Sequence, residues 1–114
     1  MDADNVVDSQ SGERPLYVEV LAIPGCPGAA LLEERLTEAI QGRRDILLSI
    51  RVITDHEEAA ASGMRGSPTI LVNGRDPFPG SGQAGSTSCR IYLHEDGLTD
   101  GAPSVHQLLQ HLTC

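Results

Sequence analysis

Tryptophan is absent from this chain of 114 residues, and phenylalanine occurs once. Without large rings, a core has to be assembled from Leu, Ile, Val and Ala. Positive charge is scarce as well: eight basic residues face sixteen acidic ones, for a net charge of −8. A nucleic-acid binder needs a basic footprint, so nucleic acid is not an expected partner; the acidity argues for solubility. No apolar run approaches the roughly 20 residues of a membrane span, so no membrane partner is expected. Residues 1–14 are polar and acidic apart from Val6-Val7, with neither the basic n-region nor the apolar h-region of a signal peptide. They are expected to form a disordered tail, leaving residues 15–114 as one domain and the cytoplasm as the default location. The three cysteines are an odd set without zinc-like spacing, which argues for reduced thiols rather than a secreted disulfide framework.

What the chain does have is a cysteine at the junction of two elements. Residues 16–23 are a nearly unbroken apolar run of strand formers, suited to a strand covered on both faces. Pro24 and Gly25 end it. From Ala29, apolar residues recur at Leu32, Leu36, Ala39 and Ile40, the spacing of a helix stripe. Cys26 falls between, followed by Pro27, and proline is favoured at the first position of a helix. Cys26 is therefore expected to be the N-cap, its sulfur facing the free N–H groups of the first turn at the positive end of the helix dipole. That position favours thiolate over thiol and makes Cys26 a candidate reactive thiol. A small buried cysteine at a strand end is the other reading of the same residues.

Residues 46–53 read as a second strand, parallel to the first through a right-handed crossover. Asp55, with Glu58 as capping-box partner, opens a short helix over roughly 56–62, which Gly63 stops. Pro68 precedes a short β-branched strand, a position where proline is tolerated. Asn73-Gly74 is a turn dipeptide, but no strand follows directly, so a tight hairpin is not expected. Residues 75–88 form a loop longer than most connections, hence functional or mobile. Residues 89–94 read as the last strand, and Ser104 caps a closing helix carrying Val105, Leu108, Leu109 and Leu112. His56, His94, His106 and His111 show no metal-ligating spacing; no metal and no other cofactor is expected.

The order β-α-β-α then β-β-α, with a cysteine at the first strand–helix junction and a proline before the third strand, resembles the thioredoxin/glutaredoxin fold over roughly residues 15–112. Two motifs carry the resemblance. Gly25-Cys26-Pro27-Gly28-Ala29 lies where the family has C-x-x-C, and Ser67-Pro68-Thr69 lies where it has its cis-proline. The implied fold is α/β and thioredoxin-like, a four-stranded mixed sheet flanked by helices. The resemblance implies a cis Pro68 packed beside Cys26, with the Gly28 and Ala29 N–H groups steadying the thiolate. Pro27, Gly28, Ala29, Ser67, Pro68 and Thr69 would bind substrate, the Ser67 backbone pairing with an extended peptide or a small thiol. The implied activity is thiol–disulfide exchange through a mixed disulfide on Cys26, with a small thiol or a protein disulfide as partner. Ala29 stands where the family's second cysteine releases that adduct. The expected cycle is therefore monothiol, with an external low-molecular-weight thiol as co-substrate. A non-catalytic binding module of the same fold is an alternative.

Cys89 is the internal candidate for a resolving thiol. Were the fourth strand antiparallel to the third, its first residue would lie at the far end of the sheet, about 16 Å away at 3.3 Å per residue. A disulfide needs Cα atoms within about 7 Å, so the two thiols are expected to be separate unless the 75–88 loop reorients Cys89. The chain is also similar to small bacterial thioredoxin-like proteins, some labelled alkylmercury-lyase-like. The likeness lies in Gly25-Cys26-Pro27, residues 65–69, Asp76-Pro77-Phe78 and residues 88–92. It implies a further alternative, a two-thiolate site on Cys26 and Cys89 for a soft metal or organomercurial, with Asp55 as the best available acid. Cys114 receives no role.

Overall fold

Strand β1 spans Leu16–Ala22 and occupies the middle of a three-stranded sheet. The computed structural model describes residues 15–78, 80 and 82–112; the tail expected over 1–14 and Cys114 lie outside them. After β1 come helix α1 (Pro27–Ala39), strand β2 (Ile46–Val52), helix α2 (His56–Ser62) and strand β3 (Thr69–Val72). Two short strands, β4 (Tyr92–Leu93) and β5 (Thr99–Asp100), precede helix α3 (Val105–His111). Strand β2 runs parallel to β1, from Leu16 opposite Ile46 to Ala22 opposite Val52. Strand β3 runs antiparallel on the other side, with Leu21 opposite Thr69 and Val18 opposite Val72.

The apolar spacing of α1 lays Ala29, Leu32, Leu36 and Ala39 against the sheet. Leu32, Leu36 and Ala39 join Leu16, Val18, Val20 and Ile70 from the strands and Leu108 and Leu112 from the C-terminal end in the larger core. The opposite face carries a smaller core of Leu21, Ile53, Ala59, Met64 and Leu71. Strand β1 is covered on both sides only toward its end at Leu21 and Ala22; at its start Tyr17 is exposed and Glu19 half-buried, so the cover expected on both faces is incomplete. Helix α2 starts where Asp55 accepts a hydrogen bond from the Glu58 N–H at 2.7 Å and stops at Gly63 in the left-handed conformation. Helix α3 opens on a full capping box between Ser104 and Gln107. Among the described residues, no helix is long and apolar enough to cross a membrane.

The expected four-stranded sheet is not what forms. Strands β4 and β5 pair only with each other, Tyr92 opposite Asp100 and Leu93 opposite Thr99. The cause is a reversal directly after β3. Asn73 and Gly74 both adopt positive φ, 51° and 83°, and Val72 and Arg75 exchange backbone hydrogen bonds at 2.7 and 3.1 Å. This tight turn closes even though only one bridge follows it. The chain then travels back to the start of β3, where Gln83 and Gly85 donate to the carbonyls of Arg65 and Met64. Residues 88–90 therefore reach β3 at its beginning, and residues 89–94 do not form the antiparallel strand that the sequence suggests.

The β4–β5 hairpin is tied to α1 by charge. Arg35 Nη2 lies 2.7 Å from Asp100 Oδ2, while Nη1 donates to the carbonyls of Ala102 and Pro103 at 3.0 and 3.1 Å. His94 Nε2 sits 3.0 Å from the other Asp100 oxygen. The hydrogen bonds from Arg35 are the main reason that the Asp100 carboxyl is held down at about 2, against the opposing effect of burial.

Candidate thiol site

Cys26 is the N-cap of α1, in extended conformation, with Pro27 at the head of the helix. The chain reaches it through a turn in which the Cys26 N–H donates to the Ile23 carbonyl at 3.4 Å. The cap differs from expectation in one respect. Its side chain takes no hydrogen bond from the first turn; the Ala29 N–H donates to the Cys26 carbonyl at 3.1 Å. The thiol is free and half-buried, and Ala29 is buried beneath it in the helix.

Ser67 and Pro68 form the second wall, joined by a cis peptide bond. Pro68 packs on the first turn of α1 at Gly28. A Cβ added to Gly28 would stand 2.9 Å from Pro68 Cδ and 2.7 Å from the Gly101 carbonyl oxygen. No side chain fits there, so glycine is what lets the helix approach this closely. Ser67 is fixed from β1, since the Ile23 N–H donates to its hydroxyl at 3.1 Å. Pro68 is fixed from β4, since the Tyr92 hydroxyl donates to its carbonyl at 2.6 Å. Burial drives the Tyr92 phenol well above its ordinary range; Arg90 opposes this, and the charges of Asp76 and Cys26 add to it.

The Ser67 backbone departs from the substrate-binding role expected for it. Its N–H donates to the Ser88 carbonyl at 2.8 Å, and its carbonyl accepts from the Arg90 N–H at 3.0 Å. These bonds make a parallel bridge between Ser67 and Cys89, so the chain's own residues occupy the edge meant for a peptide. Thr69 is turned inward too. It is fully buried, and its hydroxyl donates to the Gly66 carbonyl at 2.6 Å and accepts from the Arg65 N–H at 2.9 Å. Of the six expected substrate contacts, Pro27 is exposed and Gly28 partly so, while Ala29, Ser67, Pro68 and Thr69 are buried.

Cys89 is the largest correction. It does not sit at the far end of the sheet but on Ser67, with an exposed, free thiol. Cys89 is thus in backbone register with Ser67, and two residues near Cys26 in the chain, Ile23 and Gly28, meet Ser67 and Pro68. Asp55 is engaged as the cap of α2, so its simpler reading is the one the structure displays.

Arg90 and Asp76 went unrecognised in the sequence. The Arg90 side chain is almost wholly enclosed; Nη1 lies 2.8 Å from Asp76 Oδ2, and Nη2 donates to the Phe78 carbonyl at 2.5 Å. Its guanidinium stands 4.6 Å above the Tyr92 ring. Asp76 also faces Arg65, at 3.8 Å, and accepts from the Phe78 N–H at 2.7 Å. This cluster nails the long loop to the start of β3. The available signal was a charged residue inside an otherwise apolar stretch, Arg90-Ile91-Tyr92, with an Asp-Pro-Phe turn upstream.

Comparison with protein-family models, with curated proteins and with solved structures finds no match to this chain.

Proposed function

We propose that this chain performs thiol–disulfide exchange on a thioredoxin-like framework, with Cys26 as the attacking thiol. The observation that carries the reading is the packing of Pro68 on Gly28, in the first turn of the helix that Cys26 caps. It puts a half-buried thiol at a helix N-terminus, beside a wall held by β1 and β4. The attacking species in such exchange is the thiolate. Cys26 sulfur attacks one sulfur of a disulfide, forms a mixed disulfide and expels the other sulfur as thiolate. A low-molecular-weight thiol restores Cys26 by the same reaction in reverse. The test is a cysteine map by mass spectrometry after brief exposure of the reduced chain to a small disulfide near neutral pH. Selective modification of Cys26 is expected; preferential modification of Cys89 or Cys114 overturns the reading.

A second reading is favoured by the place of Cys89. With Cys89 in register with Ser67 rather than at the far end of the sheet, Cys26 and Cys89 together would suit a soft, thiophilic metal or organomercurial. It requires one mercuric ion per chain, with binding weakened equally by Cys26→Ser and Cys89→Ser. Loss with Cys26→Ser alone excludes it.

A further inference from the structure

We infer that Cys89 is the thiol that resolves the mixed disulfide on Cys26, and that the segment bearing it closes the site to extended peptides, leaving small disulfides as substrates. The inference deepens the exchange reading and rests on Cys26 being the reactive thiol.

Three observations converge on it. The first is the bridge itself. Both backbone polar groups of Ser67 are taken by Ser88 and Arg90, and a strand edge offers each N–H and C=O to one neighbouring chain at a time. An incoming peptide finds no backbone partner at Ser67, and the residue in register there is Cys89. The second is that Cys26 belongs to the same small neighbourhood. Ile23 bonds the Ser67 side chain, and Gly28, two residues after Cys26 in the helix that it caps, packs on Pro68, which also takes the Tyr92 hydroxyl. The third is that the Cys89 backbone is held while its thiol is exposed. Arg90 is locked by Asp76, Phe78 and Thr69, and a Cβ on Gly66 would come within 3.0 Å of Arg90 Cβ. A held backbone limits where the Cys89 thiol can go, which favours attack on an adduct in its own neighbourhood, and its exposure leaves it open to reaction.

The chemistry balances without a cofactor. Cys26 attacks a small disulfide, RS–SR, giving Cys26–S–S–R and one RS⁻. Cys89 thiolate then attacks Cys26 sulfur, forming the Cys26–Cys89 disulfide and expelling the second RS⁻. The protein gives up two electrons and two protons, and the small disulfide becomes two thiols. Two molecules of a low-molecular-weight thiol return the protein to its dithiol form. Cys89 thus supplies the step that Ala29 cannot.

The experiment uses the full chain carrying Cys114→Ser, with and without Cys89→Ser, and hydroxyethyl disulfide as the probe. Serine is close in size to cysteine, and the bridge is made by backbone atoms, so Cys89→Ser keeps the fold; circular dichroism checks this. With Cys89 present, two equivalents of mercaptoethanol are released and a Cys26–Cys89 cross-linked peptide appears. With Cys89→Ser, release stops at one equivalent and the adduct stays on Cys26. One equivalent from both proteins, with a lasting Cys26 adduct, overturns the role of Cys89 and leaves the exchange reading standing. Absence of a selective Cys26 adduct in both proteins overturns the two together. A disulfide-bearing extended peptide that oxidises the chain ten-fold faster than hydroxyethyl disulfide overturns the substrate assignment.

Discussion

Arg90 and Asp76 form an ion pair at 2.8 Å in which the two side chains are only 1% and 7% exposed. They lie on either side of the long loop, so the pair acts as its clasp. Removing one partner takes from the other, in a buried setting, its closest opposite charge. Asp76→Asn or Arg90→Ala is expected to cost about 3–5 kcal/mol of folding free energy, read from urea unfolding. Arg90→Lys is expected to rescue little. An ammonium cannot reach Asp76, Phe78 and Thr69 at once as the planar guanidinium does. A loss below about 1 kcal/mol in each variant would show that the loop is held otherwise.

Gly28 gives a prediction of unusual sign. Gly→Ala inside a helix ordinarily stabilises, by roughly 0.5–1 kcal/mol. Here the new Cβ meets the Gly101 carbonyl at 2.7 Å and Pro68 at 2.9 Å. Gly28→Ala is expected to destabilise by about 1–3 kcal/mol, the usual range for overpacking, and to slow reaction at Cys26. Thermal melts and a thiol-labelling time course check both; a more stable variant would mean that α1 does not rest on Pro68 in this way.

The Tyr92 hydroxyl supplies a polar contact to Pro68 in a buried setting, at 2.6 Å. Tyr92→Phe leaves that carbonyl without this donor and is expected to cost about 1–2 kcal/mol. The folded chain should also resist phenol ionisation at Tyr92. Its pKa is raised by burial, so the stability it contributes is present below about pH 10 and is lost as the pH rises beyond. An ultraviolet titration in which every tyrosine ionises without unfolding would contradict this.

Acid sensitivity should come from the α1–hairpin tie. Asp100 is held at about 2 by Arg35, below the ordinary carboxyl value of about 3.9. A depressed folded-state value favours the ionised form, so the contribution is complete above about pH 4 and disappears as the pH falls through about 2. Arg35→Gln is expected to flatten the fall in melting temperature across that window. At neutral pH the same variant also loses the bonds to Ala102 and Pro103. An unchanged acid limb would place the sensitivity elsewhere.

The first half of the chain was legible because its signals are local. The strand expected over 16–23 forms as Leu16–Ala22, the helix over 56–62 forms as His56–Ser62, and Asp55 caps where its side chain suggests. Periodicity and caps act within a few residues, so they can be read directly. The second half was misplaced because its decisive contacts are remote. The turn at Asn73-Gly74 sends the chain back, and the Arg90–Asp76 pair fixes where residues 88–90 land. Neither has a periodic signature. The site suffered accordingly. The strand–Pro–helix junction reads Cys26 onto its helix start, whereas Cys89 lies beside Ser67 rather than at the far end of the sheet, where an antiparallel strand would carry it.

The contact between Gly28 and Gly101 bears on how this sequence can drift. An added Cβ at Gly28 strikes the Gly101 carbonyl, and one at Gly101 comes within 3.1 Å of Gly28 Cα. The two positions, distant in the chain, are one constraint written twice. A side chain at Gly28 forces something to shift, one at Gly101 is tight against Gly28, and changing both compounds the conflict. Descendants that keep the α1–Pro68 wall must keep both glycines, while exposed Pro27, one residue from Gly28, remains free to vary in size. A lineage that loses either glycine has let go of the packing that frames Cys26, whatever it retains of the cysteine itself.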